Sequence, residues 1–112
     1  MTRIGMRILL GTVAILGAGQ ALAVDPEFQL AIEAHRFAPA ELSVPAGQKI
    51  RLVVENKDGT AEEFESYALN REKIVAPGQK TVIFVGPLKP GRYEFFGEFN
   101  PTTARGWLVV AP

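Results

Sequence analysis

The chain has 112 residues, of which 47% are hydrophobic and 21% charged, with 12 basic and 12 acidic side chains. This length accommodates one domain, the apolar content excludes a disordered chain, and the neutral balance argues against a nucleic-acid partner, which requires a basic face. With no cysteine and a single histidine, disulfides, cysteine-ligated zinc, thiol nucleophiles, iron–sulfur clusters and blue-copper centres of the ordinary kind are excluded.

The N-terminal segment carries the features of an export signal. Arg3 and Arg7 precede an uncharged apolar stretch, and Ala21-Leu22-Ala23 fits the small-residue cleavage pattern. The apolar stretch is shorter than the ~20 residues that a membrane-spanning helix needs, so an uncleaved anchor is the less favoured alternative. We predict a cleaved signal peptide over residues 1–23 and a mature domain over residues 24–112. The mature protein is expected in the periplasm, at most peripheral to the membrane.

Turn residues divide the mature chain into short segments. Clusters of proline, glycine and asparagine recur at intervals of roughly ten residues, as in an antiparallel sandwich or barrel. Most segments between them alternate polar and apolar side chains, which is typical of strands with one buried face. The predicted strands lie, in chain order, near residues 28–35, 42–44, 49–55, 63–67, 74–75, 82–85, 93–95 and 107–110.

Two of these segments depart from simple alternation. Val82 to Val85 is apolar throughout, which predicts a strand buried on both faces, whereas Ile74-Val75 predicts a short edge strand. No uninterrupted segment of the mature chain has the pattern of a long amphipathic helix. With seven or eight strands, the sequence predicts an all-β fold, a Greek-key β-sandwich.

Four fragments resemble, in order and spacing, the pattern of the cupredoxin family. They are FAPAELSVPAG (37–47), VVENKD (53–58), LKPGRYEF (88–95), and GEFNP (97–101) followed by GWLVV (106–110). The runs 62–75 and 86–101 also look like the small exported cupredoxin-like proteins that are associated with high-affinity iron permeases. The resemblance covers nearly all of the mature chain, and it implies a cupredoxin-like sandwich and a role beside an iron permease.

The resemblance also implies where a copper ion would be held in the family. One His follows the asparagine-containing turn, and Cys, His and usually Met surround the last loop. This chain reads Ala61-Glu62-Glu63-Phe64 where the family reads Pro-His-Glu-Phe, and it reads FGEFNP (96–101) where the family reads Phe-Cys-Glu-Phe-His-Pro. The Met position falls near Thr102 or Thr103. We therefore expect the fold without a type 1 copper site and without its intense blue colour.

Acidic side chains stand near the substituted ligand positions. If Phe64 points into the core, the strand period of two makes Glu62 point inward as well, at the loop end of the sandwich. Glu98 adjoins the position that lacks the cysteine. His35 lies at the same end of the first strand. Simple alternation places it opposite to Ile32, whereas its parity matches Phe37; a twist or bulge between Ala34 and Phe37 would reconcile the two, and the sequence does not decide between them.

These positions lead to a metal-site hypothesis. His35, Glu62 and Glu98, with Glu63 and Glu65 on the outer face nearby, form an oxygen-rich set that suits iron or copper(II) better than copper(I). Crowded carboxylates repel one another, which raises the pKa of at least one of them, and a bound cation relieves the repulsion. The alternative interpretation, without a metal, is that Glu62 to Glu65 form a solvated strand edge.

Two functions follow from these expectations. The first is a periplasmic accessory protein of high-affinity iron uptake that binds an iron or copper ion and acts at an iron permease. The sequence shows no electron acceptor, so we assign no enzymatic activity, and an assisting role in iron oxidation stays open. The second is a metal-free interaction module that docks on a permease or another periplasmic partner through Tyr67, Phe96 and Phe99. We find no groove signal for a carbohydrate or peptide binder.

Overall fold

The computed structural model describes residues 24–112, so the predicted signal peptide lies outside the described residues. This part of the chain is built from strands, and it contains no helix long and apolar enough to cross a membrane. The strands are β1 (Glu27–Glu33), β2 (Arg36–Ala38), β3 (Glu41–Val44), β4 (Ile50–Asn56), β5 (Glu62–Ser66), β6 (Arg71–Val75), β7 (Lys80–Val85), β8 (Gly91–Gly97) and β9 (Arg105–Val110).

The strands form two sheets that pack face to face. One sheet has four strands in the order β2-β1-β4-β7, and the other has five in the order β3-β9-β8-β5-β6. Two pairings are parallel, β1 with β4 and β3 with β9, while the other pairings are antiparallel. The predicted all-β sandwich is confirmed. The Ile74-Val75 segment does belong to an edge strand, β6, at one end of the five-stranded sheet.

The core lies between the sheets and is centred on three phenylalanines. The ring centroids of Phe37 and Phe95 are 4.9 Å apart in an edge-to-face contact, and those of Phe64 and Phe95 are 5.2 Å apart in a stacked one. Aliphatic side chains from both sheets surround the rings. Because Phe64 on β5 is fully buried, the neighbouring residues of β5 are forced to alternate between the core and the outer face.

Strand β7 differs from its prediction. Ile83 and Val85 are buried, but Phe84 is 39% exposed, so the strand has one buried face instead of two. The exposed ring is covered by cations, with Lys49 Nζ 4.6 Å and Arg51 Cζ 5.9 Å from its centroid. A long basic side chain that lies on an aromatic ring gives an outward phenylalanine a stable place. An unbroken apolar run in the sequence does not show which of its residues faces outward.

Residues 24–112 form nine strands, one more than the eight segments predicted, because the chain reverses after β1 and adds the short strand β2. Ala34 and His35 form a two-residue turn with φ angles of 54° and 56°, and β2 then pairs back on β1 with Glu33 opposite Arg36. Positive φ at both turn positions matches the twist of a hairpin but is costly for residues other than glycine, asparagine and aspartate. The parity conflict around His35 is therefore resolved by a chain reversal in place of a bulge.

Asp58 supports this turn from the loop after β4. Its carboxylate accepts hydrogen bonds from the backbone N–H groups of Ala34 (2.7 Å) and His35 (2.9 Å), and His35 Nδ1 lies 3.5 Å from Asp58 Oδ2. Asn56 Oδ1 in turn accepts the backbone N–H of Asp58 at 2.9 Å. The hydrogen bond from the His35 N–H, with that from Ala34 and the nearby imidazole, holds the pKa of Asp58 below 3.8 against the opposing effect of burial.

We predict that Asp58→Ala lowers the free energy of unfolding at neutral pH by about 1–3 kcal/mol, because two backbone donors lose a charged acceptor. The pKa of Asp58 is lowered in the folded chain, so this stabilisation is present above pH 3.8 and is lost as the pH falls through the folded-state pKa. Urea unfolding at neutral and acidic pH checks both points, with Asp25→Asn as the control. An equal loss at every pH would contradict the role of the ionised carboxylate.

Candidate functional site

The side chain of Glu62 lies inside the sandwich at the start of β5. Only 1% of the residue is exposed. Its Oε1 accepts the backbone N–H groups of Glu63 (2.9 Å) and Phe99 (2.8 Å), and its Oε2 accepts the Asn100 side-chain amide at 2.9 Å. A buried carboxylate is tolerated when N–H donors replace its lost water. Ser66, two positions beyond Phe64, is buried on the same face of β5.

Gly97, at the end of β8, leaves room for that carboxylate. A Cβ atom built on Gly97 would come within 2.5 Å of Glu62 Cδ and Oε2 and within 2.7 Å of Ala104 Cβ. Glu62, Gly97 and Asn100 are the positions at which the cupredoxin resemblance implies the first His, the Cys and the second His. We call these three residues the carboxylate latch. It ties β5 to the loop over residues 98–104.

The latch does not fit a blue-copper ion. Copper in such a site requires a thiolate and two imidazoles, whereas the latch offers a carboxylate, an amide and no side chain at Gly97. The carboxylate oxygens already accept N–H groups from β5 and the loop. The place of the copper ligands is therefore filled by a hydrogen-bonded carboxylate, and no chemistry of the chain is assigned to copper there.

We predict that Gly97→Ala lowers the free energy of unfolding by roughly 1–3 kcal/mol, because the new methyl group overlaps Glu62 and Ala104 in a packed site. Gly59→Ala is the matched control, since a Cβ at Gly59 meets nothing within 4 Å and its φ is not positive. Thermal unfolding of the two variants beside the wild-type protein measures the difference. Equal melting temperatures for the two variants would mean that the latch is not tightly packed.

The structure does not join the residues that we expected to form a metal site at this end. His35 is half-exposed on the β1–β2 turn and faces Asp58, the carboxylate of Glu62 is held by the latch, and Glu98 is exposed on the loop. Among residues 24–112, one group of three or more His, Asp or Glu side chains has ligand atoms close together, and it contains neither His35, Glu62 nor Glu98.

That group lies on the outer face of the five-stranded sheet. One carboxylate oxygen from each of Glu63, Glu65 and Glu72 lies within 4.8 Å of the other two, and we call these residues the outer carboxylates. Glu65 and Glu72 are direct cross-strand partners on β5 and β6. The sequence analysis named Glu63 and Glu65 as candidate metal ligands on the outer face. Glu72 was not, because its position depends on the register of the β5–β6 hairpin.

The outer carboxylates repel one another. Partial desolvation, a hydrogen bond with Glu72 and the charges of Glu72, Glu65 and Glu98 raise the pKa of Glu63 above 4.5. Partial desolvation and the charges of Glu72 and Glu98 likewise raise the pKa of Glu65. Within the described chain, four surface acids pair with a lysine or an arginine, such as Glu94 with Arg105 at 2.9 Å, and none of the outer carboxylates has such a partner.

We predict that Glu72→Gln raises the melting temperature slightly at pH 7. Because the pKa values of Glu63 and Glu65 are raised above 4.5, folding favours their protonated forms, so their effect turns unfavourable as the pH rises through the folded-state pKa values. Removing the Glu72 charge relieves this at pH 7 and has no benefit well below pH 4.5. Thermal unfolding across this pH range tests the expectation, and a gain that persists in acid would contradict it.

The three predicted docking aromatics do not form one compact patch. The Tyr67 and Phe96 rings meet at 5.5 Å with an interplanar angle of 66°, and Arg105 Cζ lies 5.3 Å from the Phe96 centroid. Tyr67 is 78% exposed and Phe96 half-buried. Phe99, 50% exposed, stands on the loop of the latch. The Tyr67–Phe96 pair thus lies on the same outer face as the outer carboxylates.

Comparison with known proteins agrees with this architecture. The sequence profile of the family described as Cupredoxin-like domain matches residues 6–110. An uncharacterized protein of Rickettsia prowazekii (strain Madrid E) is 49% identical over 84 residues, which cover 75% of this chain and 67% of that protein.

Solved structures share the fold at low sequence identity. The metal-binding domain of a Cu(I)-exporting P-type ATPase of Streptococcus pneumoniae, solved with Cu(I), superimposes with a TM-score of 0.70 at 16% identity, covering 82% of this chain and 92% of that one. Auracyanin A, a blue copper protein of Chloroflexus aurantiacus, gives 0.66 at 13% identity, covering 78% and 99%. At these identities the likeness shows a shared fold.

Proposed function

The chain belongs to the cupredoxin-like domain family, and from this premise we propose that it is a periplasmic accessory protein of high-affinity iron uptake. It binds iron as cargo through the outer carboxylates, Glu63, Glu65 and Glu72, instead of through the ligand positions of a blue-copper protein. One observation carries this proposal: within the described chain, three carboxylates converge on one sheet face and have no basic partner.

The chemistry of the outer carboxylates supports iron over copper(I). Carboxylate oxygens are hard ligands, whereas copper(I) prefers the soft sulfur of cysteine and methionine. Glu63 and Glu65 are partly exposed and Glu72 is exposed, so an ion reaches the site without any opening of the fold. An open site with few ligands binds weakly and releases readily, which suits delivery better than storage.

The iron-uptake context is supported by resemblance. The runs 62–75 and 86–101 resemble cupredoxin-like proteins associated with iron permeases, and these runs contain the outer carboxylates, the latch and the exposed aromatics. An iron permease in the inner membrane is the expected partner, with the exported chain on its periplasmic side. The likeness to copper-binding structures shows the fold, and the latch has no place for their ion.

The test is a calorimetric titration of the purified protein, with Fe(II) under anaerobic conditions and separately with Fe(III). We expect Glu63→Gln combined with Glu65→Gln to weaken iron binding about tenfold or more, which corresponds to ~1.4 kcal/mol. Glu33→Gln combined with Glu55→Gln removes the same charge elsewhere and is the matched control. Binding also weakens as the pH falls through the raised pKa values of Glu63 and Glu65, because protons compete with the ion.

Two outcomes would reject iron binding at this site. One is the absence of measurable binding by the wild-type protein, and the other is an equal loss in the site variant and in the control. His35→Ala and Glu62→Gln test the alternative ligand set at the tip of the sandwich. If either of these variants abolishes binding while the outer carboxylates do not matter, the site lies at the tip.

A metal-free interaction module is the second candidate function. The observation in its favour is the exposure of Tyr67 (78%) and Phe99 (50%) on a rigid sandwich, since large aromatic side chains on a surface often mark a protein contact. A cupredoxin fold in which the carboxylate latch occupies the ligand positions is still a rigid sandwich. Its outer face can then carry a binding function. Normal folding and partner binding without any iron affinity would favour this candidate.

A further inference from the structure

An open cleft of about 280 Å³ lies beside the β5–β6 turn. Side chains from the end of β5, the turn and the start of β6 line it: Glu65, Ser66, Tyr67, Asn70, Arg71 and Glu72. Two acidic residues and an exposed aromatic ring therefore face the same volume of solvent. The cleft extends from the outer carboxylates toward the turn, so it is larger than a site for a single ion.

The arginine that lines the cleft offsets part of its acidic charge but does not pair directly with either carboxylate. Arg71 Nε donates to the carbonyl of Phe84 at 2.8 Å, and its Nη1 donates to the carbonyls of Asn70 (2.9 Å) and Leu69 (3.4 Å). The guanidinium thus bridges β6 to β7 in the opposite sheet. Within the described chain it forms no ion pair with an acidic side chain.

The aromatic wall of the cleft is held in position. The Tyr67 ring packs edge-on against Phe96, which sits directly opposite Glu65 on β8. Arg105 covers Phe96 from the other side while its Nη2 pairs with Glu94 at 2.9 Å. Tyr67 therefore presents a ring that is 78% exposed and that lines the same cleft as Glu65.

We propose that this cleft is a docking site for a basic segment of a partner protein, which places a lysine or arginine side chain between the Tyr67 ring and the carboxylates of Glu65 and Glu72. An aromatic face with nearby carboxylates attracts such a side chain by cation–π and ion-pair interactions. The two carboxylates, neither of which is in an ion pair within residues 24–112, also attract a basic partner to this face and disfavour an anionic lipid surface. The docking site goes beyond iron binding and does not depend on it.

The experiment measures, by calorimetry at low and at physiological salt, how tightly the purified protein binds the probe peptide acetyl-Gly-Arg-Lys-Arg-Gly-amide. We expect Tyr67→Ala, which leaves the charge unchanged, to weaken peptide binding about fivefold through the lost cation–π contact. Phe99→Ala removes an exposed aromatic residue outside the cleft and is its matched control. Glu65→Gln with Glu72→Gln is expected to weaken binding more than the control pair Glu33→Gln with Glu55→Gln.

Three results of the peptide titration would overturn the docking site. They are no peptide binding by the wild-type protein, unchanged binding after Tyr67→Ala, and equal losses in the site and control pairs, which would indicate general charge attraction alone. Stronger binding to vesicles of anionic lipid than to the peptide would also reject it. The iron titration separates the two proposals. Peptide binding without iron binding leaves the docking site standing, and iron binding without peptide binding leaves only the proposed function.

Discussion

The hydrogen-bonded carboxylate of Glu62 is the interaction on which the arrangement of this end of the sandwich depends. An ionised side chain in a protein interior loses several kcal/mol of hydration unless charge-assisted hydrogen bonds replace it. Here the replacement comes from the chain itself, through the backbone of Phe99 and the amide of Asn100. The carboxylate thus makes the connection between β5 and the last loop that a metal ion makes in a blue-copper protein.

The two-residue period of β5 connects this latch to the outer face. Glu62, Phe64 and Ser66 point into the core, so Glu63 and Glu65 must point outward. One strand therefore builds both the latch and most of the acidic surface. Because the inward positions are fixed by packing and hydrogen bonds, the outward carboxylates are held near Glu72 on the paired strand despite their repulsion. The acidic surface to which we assign iron binding lies on this sheet face, beside the β5–β6 turn.

Alternation and turn spacing were sufficient to predict the sandwich and the inward direction of Glu62, because both depend on near neighbours in the sequence. The reversal at Ala34-His35 was missed, since neither residue favours positive φ and the stabilising acceptor, Asp58, lies far along the chain. Glu72 was missed for a related reason. Its place beside Glu65 depends on the register of a hairpin, which alternation within a single strand does not determine. Both features depend on contacts between different segments of the chain, which the alternation within one strand does not contain.

Replacement of metal ligands by a carboxylate, and not by an apolar side chain, follows from the backbone of the last loop. This loop is closed by its own hydrogen bonds, such as Ala104 N–H to the Asn100 carbonyl at 2.9 Å and Gly97 N–H to the Ala104 carbonyl at 2.8 Å. The N–H of Phe99 and the side-chain amide of Asn100 instead point at Glu62. An apolar residue of similar volume would avoid the desolvation of a carboxylate, but it would leave these two donors without an acceptor in a partly buried site, at up to about 1–3 kcal/mol for each. The carboxylate is favoured because it fills the space and accepts both donors at once.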